Sequence, residues 1–346
     1  MFVFHNSLAW LNKYVQQCRY KRNFKGLNRM EYEKSRKMVE AAKLYYQMDF
    51  SQMEVAKRLG VSRPTVSRLL QQAKEEGIVE IKIMDPSENC RSLELELEEK
   101  LGLKKVLVAE IPMYEERYIK QAIGKIAADY ISHVVKDDDI IGVTWGTTLF
   151  QVAKHLEHKP VRDVKVVQLK GGVSHSQKKT YASETLHAFE KAFDATLYQL
   201  PLPAIVDHVV VKQAIEADRH IRSILTLGKE SNIAIYTVGV PETDSLLFQL
   251  GYFTEDDKQV IASRSVGDIA SRFFDKDGKV CNEELNARTI GIEFDDLKNK
   301  EQSILVAGGL KKVDGIWGAI QAKLCNILIT DTFTAKILLD KENKID

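Results

Sequence analysis

The sequence predicts a chain in two parts. A small N-terminal winged helix-turn-helix module precedes an α/β main domain, doubly wound around a mainly parallel sheet. Residues 51–70 read as helix, glycine turn, helix. Residues 105–330 alternate short apolar runs with helical patterns, as a parallel sheet covered by helices requires. At 346 residues, 44% hydrophobic and 29% charged, the chain has ordinary globular composition and length for about two domains.

The first module is written in its caps. Ser51 is a good N-cap, and Glu54 completes a capping box. Val55, Ala56 and Leu59 form a short apolar stripe, and Gly60 can take the positive φ that ends the helix. Ser62 caps the next helix, and Pro64 sits in its first turn, where a missing N–H costs nothing. Val66, Leu69 and Leu70 turn inward, leaving Ser62, Arg63, Thr65, Ser67 and Arg68 outward. Such a face suits double-stranded DNA: arginines can pair with guanine O6/N7, a threonine can touch a thymine methyl, and hydroxyls reach phosphates. The plain alternative is a helical hairpin with a solvated polar face.

Charge distribution agrees with DNA binding. Residues 1–30 hold six Lys/Arg and no Asp/Glu, and residues 31–82 hold ten basic and eight acidic residues, although the whole chain is only +1. A cationic end on a slightly acidic body suits phosphate contact. The four cysteines are scattered, so neither a disulfide framework nor a zinc site is expected, and a reducing cytosol is the default. No apolar run has membrane-spanning length, and the positive charges near the N-terminus follow its apolar residues, the wrong order for a signal peptide.

Residues 1–29 form a basic extension with little periodicity. Residues 30–47 are a helix that packs under the helix-turn-helix pair. After the stop at Gly77, residues 78–83 alternate apolar and polar as a wing strand, and Asp85-Pro86 closes the module at residues 30–86. Residues 87–104 hold a charged linker helix with Leu93, Leu97 and Leu101 in line, expected to join the domains and to form a dimer seam, or else simply to dock. From there to residue 346, strands are expected at 106–109, 140–145, 164–169, 195–200, 233–238, 303–307 and 326–330. Helices at 118–135, 147–156, 181–193 and 316–324 lie between them.

Ligands of such sheets bind beyond the carboxyl ends of the strands. There, Gly146-Thr147-Thr148 opens a helix, and Gly308-Gly309 is followed by Lys311 and Lys312. Both turns offer backbone N–H groups to a phosphate; the plain alternative is two well-capped helices. Lys170 stands at a third strand end, before Gly171-Gly172. As a surface lysine it would be inert; desolvated, its free amine could form an imine with the aldehyde of an open-chain sugar phosphate. Asp268 is a further polar candidate, or simply a helix cap. His155 and His158 share a helix face without a third ligand at metal spacing and are read as surface, so no metal site and no cofactor are expected.

The stretches Ser62-Arg63-Pro64-Thr65-Val66-Ser67-Arg68-Leu69-Leu70, Gly142-Val143-Thr144-Trp145-Gly146-Thr147-Thr148 and Ala307-Gly308-Gly309 with Lys312 resemble the SorC family of bacterial transcription regulators. The resemblance runs from about Met30 almost to the end. Residues 163–175, 266–269 and 271–275 are most similar to the members that regulate deoxyribonucleoside use. The resemblance implies a cytoplasmic homotetramer and a main domain similar to sugar-phosphate isomerases but used as a sensor. It implies operator DNA as one partner, deoxyribose 5-phosphate as effector, and nucleoside uptake and breakdown genes as targets. Lys170 would be the imine-forming residue; Gly146, Thr147, Thr148, Gly308, Gly309 and Lys312 would bind phosphate. Family members start near where Met30 stands here, so residues 1–29 are expected to be a dispensable tail or an upstream extension.

Two functions are weighed: a repressor released from DNA by a sugar phosphate, and a sugar-phosphate isomerase or lysine aldolase with an accessory DNA module. The second also needs a placed general base, and no acid cluster beside the glycine turns supplies one.

Overall fold

The computed structural model describes residues 29–79, 90–172, 180–242, 245 and 247–343. The chain divides into two compact units that meet between Asp85 and Pro86.

In the first unit, helix α1 spans Arg29–Ala42 and runs on as a π-helical turn over Lys43–Gln47. Helix α2, Gln52–Leu59, starts at Ser51 with both halves of the capping box formed and ends on Gly60 at φ 64°. Helix α3, Arg63–Glu75, is capped by Ser62, whose Oγ accepts from the Thr65 amide. Met38, Ala41, Val55, Val66, Leu70 and Ala73 form the core beneath. The expected wing lies almost wholly outside the described residues.

In the second unit, helix α4 (Cys90–Leu101) precedes strand β1 (Lys105–Ala109). The rest of the sheet is β2 (Ile140–Val143), β3 (Lys165–Gln168), β4 (Thr196–Tyr198), β5 (Ile233–Tyr236), β8 (Gln302–Val306) and β9 (Ile327–Asp331). All seven pair in parallel, in the order β1-β9-β8-β5-β2-β3-β4. Each expected strand is present, with its ends within two residues of the expected ones. A sheet covered on both faces needs apolar residues on both. Accordingly, Ile233 and Ile235 enter one core while Ala234 and Tyr236 enter the other.

The crossover helices are α5 (Glu116–Val134), α6 (Thr147–His155), α7 (Ala182–Ala192), α8 (Val209–Ala217) and α9 (Arg219–Glu230). After β5 come α10 (Glu255–Arg264) and a hairpin of β6 (Gly267–Ile269) and β7 (Arg272–Phe274). Two short helices follow, α11 (Glu283–Arg288) and α12 (Phe294–Lys298), then α13 (Val313–Gln321) and α14 (Thr332–Glu342).

Two expectations are resolved or corrected here. Helix α4 docks on its own unit: Leu97 is fully buried, and Leu93 and Leu101 pack beside the same core. Its Glu94 and Glu98 accept the amides of Val108 at 3.0 Å and Val106 at 3.1 Å, closing the open edge of β1. Asp268 caps no helix; it lies in β6, in a hairpin whose three-residue strands are too short for a periodic signal. A smaller correction concerns His158, which lies past the end of α6 and meets Asp194 at 3.2 Å.

Strand order places the site. After β2 the chain winds toward β4, and after β5 it winds toward β9, yet β2 and β5 are neighbours. Their carboxyl ends therefore flank the switch point where such sheets open a crevice.

Candidate functional site

In the first unit Ser62, Arg63, Thr65, Ser67 and Arg68 are all exposed, while Val66, Leu69 and Leu70 between them are buried. The Thr65 hydroxyl is partly occupied, lying 2.8 Å from Ser62 Oγ. Its methyl remains the group available to a base. The face thus presents two guanidinium groups and three hydroxyls from the first turns of a rigid helix.

In the second unit the ends of β2, β3, β5 and β8 converge. Beyond β3, Lys170 is buried, with 7% of its surface exposed. Its Nζ lies 3.8 Å from the centre of a Trp145 ring, and Trp145 itself is fixed by Nε1 donating to the Gly171 carbonyl at 2.8 Å. Gln168 braces the same turn: its Nε2 donates to the Lys170 carbonyl at 2.7 Å, and its Oε1 accepts from the Leu200 amide. Burial pulls the Lys170 amine below its ordinary range, and the charge of Asp268 partly opposes this. Burial raises the Asp268 carboxyl, against the pull of Lys170, the Ser271 amide and Lys312. These are the paired shifts expected of facing titratable groups in a desolvated site.

Asp268 is held firmly. It exchanges backbone hydrogen bonds with Gly239, just past β5, at 2.8 and 3.2 Å, and its Oδ2 accepts from the Ser271 amide at 3.2 Å. The turn that carries it is strained, because Ala270 and Ser271 have φ of 52° and 68° without being glycine. Ser271 Oγ is fully buried and has no hydrogen-bond partner among the described residues.

Lys312 reaches over from the β8 side and meets Thr237, past β5, at 3.4 Å. Burial lowers its pKa to about 8; Lys120 adds to this, while Glu116 and Asp268 oppose. Lys120 of α5 pairs with Glu116 at 2.5 Å. Gly146 faces Thr237, and the first turn of α6 behind it holds Thr147 exposed and Thr148 buried. The second glycine turn is built differently. The Gly309 amide donates to Asp331 Oδ2 at 2.9 Å and to Thr334 Oγ1 at 2.8 Å, and the Leu310 amide donates to the Tyr114 hydroxyl. These amides shape the turn that aims Lys312 instead of pointing freely at a ligand.

Trp145, Gln168, Thr237 and Lys120 went unrecognised in the sequence reading. Trp145 and Gln168 flank residues already singled out, and Thr237 ends an apolar strand, which was the available signal. Lys120 carried none, because its helix is remote in sequence from the strand ends.

A helix-turn-helix with an arginine-bearing face, joined to an α/β domain that gathers lysines at its switch point, defines a DNA-binding regulator with a small-molecule domain. Comparison with known proteins agrees. A family described as "Putative sugar-binding domain" matches residues 85–340, and a "Homeodomain-like domain" matches residues 33–80. The chain belongs to the SorC family of sugar-binding transcription regulators. It is 49% identical over 311 residues to the deoxyribonucleoside regulator of Bacillus subtilis (strain 168), covering 90% of this chain and 99% of that protein. It is 32% identical over 308 residues to the sorbitol operon regulator of Klebsiella pneumoniae, covering 88% and 98%. The crystal structure of the full-length SorC from Klebsiella pneumoniae matches with a TM-score of 0.71 at 29% identity, over 91% of this chain and 100% of that one. Among the described residues no helix is long and apolar enough to cross a membrane.

Proposed function

We propose that this protein is a cytoplasmic repressor of deoxyribonucleoside breakdown genes, released from its operator by deoxyribose 5-phosphate. The observation that carries the effector reading is the buried Lys170 amine, packed on Trp145 and coupled to Asp268 across from Lys312. Lys312 and the α6 N-terminus at Gly146-Thr147-Thr148 would hold the phosphate, with the Gly308-Gly309 turn, its Gly309 amide already engaged, serving to aim Lys312. With the phosphate held there, the aldehyde carbon meets Lys170. The Nζ lone pair attacks that carbon and one nitrogen proton passes to the oxygen, giving the carbinolamine; its hydroxyl then leaves with the second nitrogen proton as water, giving the imine. Asp268, the carboxyl that faces Lys170, would relay a proton from the nitrogen to the departing hydroxide.

A bound effector lowers DNA affinity only as far as it prefers the state that cannot hold operator. Symmetric half-sites, about 34 Å or a multiple apart, call for a homo-oligomer, a dimer or tetramer. The deciding experiment is intact mass after deoxyribose 5-phosphate and borohydride, beside Lys170→Ala. One reduced adduct, absent from the variant, supports the reading; no adduct on folded protein overturns the imine. The Lys170–Asp268 pair would also serve a lysine aldolase, so the same incubation is assayed for cleavage products. Sustained turnover would favour an enzyme.

A further inference from the structure

The strained hairpin and the lysine turn are tied together by one side chain. Among the described residues Arg272, in β7, is the largest fully buried side chain, with 1% of its surface exposed. Its guanidinium spends its donors on a single segment, residues 286–293. Nε donates to the Ile292 carbonyl at 2.8 Å, and Nη1 to the carbonyl and side-chain oxygens of Asn286. Nη2 donates to the carbonyls of Thr289 at 3.3 Å and Gly291 at 3.2 Å, and to Glu293 Oε1 at 2.7 Å. That segment lies antiparallel against the Lys170 turn: the Ile292 amide donates to the Leu169 carbonyl at 2.8 Å, and the Gly171 amide to the Ile290 carbonyl at 3.1 Å. The approach is close enough that a Cβ on Gly291 would fall 2.9 Å from Lys170 Cα.

Arg272 is therefore bound at both ends to the site. Through residues 286–293 it supports the backbone of Lys170; through the hairpin, where it pairs with Ile269, it supports Asp268. The left-handed Ala270–Ser271 turn persists only if its surroundings over-determine it. The guanidinium anchored just after it supplies that constraint. A planar fork of five donors can hold several carbonyls at fixed angles, which an ammonium cannot.

We infer that Arg272 is a positioning residue: it sets the placement of the Lys170 amine against Trp145 and Asp268 by clamping residues 286–293 to the lysine turn. This deepens the effector reading and rests on it for what Lys170 does. The geometric claim stands apart from the sugar. The groups facing Lys170 are Trp145 and Asp268, with Lys312 acting on Asp268. If the clamp loosens, water reaches the amine and its pKa moves back up.

The test compares wild type with Arg272→Lys and Gly291→Ala, and reads two things. Competitive acetylation of Lys170 with acetic anhydride, followed across pH by peptide mass, reports the amine without any sugar. Borohydride trapping with deoxyribose 5-phosphate reports imine formation. Circular dichroism and a cooperative thermal melt confirm that each variant is folded. Expected for both variants are a Lys170 titration shifted upward and adduct formation slowed at least about tenfold, with operator binding retained. An unshifted titration in folded variants overturns the positioning role. If Arg272→Lys fails to fold, Glu293→Gln, which removes the counter-charge at the half-exposed end of the clamp, is read the same way. A wild type that forms no adduct, yet whose depressed titration is released by the variants, overturns the effector reading and upholds the clamp.

Discussion

Gly239→Ala isolates the second half of the site. Gly239 lies past β5 and exchanges two backbone hydrogen bonds with Asp268. A Cβ there would overlap Asp268 Oδ1 and lie 3.0 Å from its Cγ. The backbone cannot retreat without breaking that pair of bonds, so the carboxylate must swing away. Its other oxygen would then leave the Ser271 amide, and the partly desolvated Lys170 would lose its nearest counter-charge. Overpacking of this size costs about 1–3 kcal/mol. For a unit of this size, each kcal/mol lowers Tm by roughly 2–4 °C. Thermal unfolding of the unliganded protein should therefore drop by about 2–12 °C. Adduct formation with deoxyribose 5-phosphate should slow by at least about tenfold, the equivalent of ~1.4 kcal/mol. Operator binding without effector should survive, since the change lies in the second unit. A variant that melts with wild type and traps the sugar at the same rate would refute the reasoning that Gly239 fixes the carboxylate.

Three further outcomes are expected. Arg63→Ala or Arg68→Ala should weaken specific operator binding by roughly tenfold to a hundredfold and reduce its salt dependence, with Tm unchanged because both side chains are exposed; gel-shift titration over a salt series checks this. Lys312 titrates at about 8 when folded but at 10.5 when unfolded, so between those values the unfolded chain binds the extra proton and stability rises with pH. Bound phosphate favours the charged form, so calorimetry should find affinity for inorganic phosphate falling as pH passes about 8. Ser271→Gly removes a left-handed non-glycine residue and a buried unpartnered hydroxyl, so it should raise Tm by a few degrees, by about 1 kcal/mol net of glycine's entropy. A lower Tm would mean that the hydroxyl holds a partner the turn needs.

Much of this protein was legible locally. Ser51, Glu54, Gly60 and Ser62 act within one helical turn of themselves, so their spacing alone revealed both caps and, with them, the outward face of α3. The seven strands announced themselves because a sheet covered on both faces tolerates little but apolar residues. Lys170 and the glycine turns stand out as candidates because strand ends are where such sheets bind ligands. The β6–β7 hairpin was not legible, since three-residue strands have no period to detect, and Asp268 was accordingly open to reading as a cap. Nor did the two glycine turns differ in sequence in a way that showed one to be filled by Asp331 and Thr334.

What the chain by itself determined is the short-range part: helices, caps, strands, the split near Asp85-Pro86, and which residues stand at strand ends. Tertiary structure alone decided which ends meet. Strand order placed β2 beside β5 and so brought Gly146 to Thr237. It also let Lys312 reach the same threonine across 75 residues of chain. Burial, which no single residue type carries, turned Lys170 and Asp268 from ordinary charges into a coupled pair. The physical reason is range. Hydrogen bonds within a turn depend on neighbours in sequence, whereas desolvation and counter-charge depend on everything the fold packs within a few ångströms.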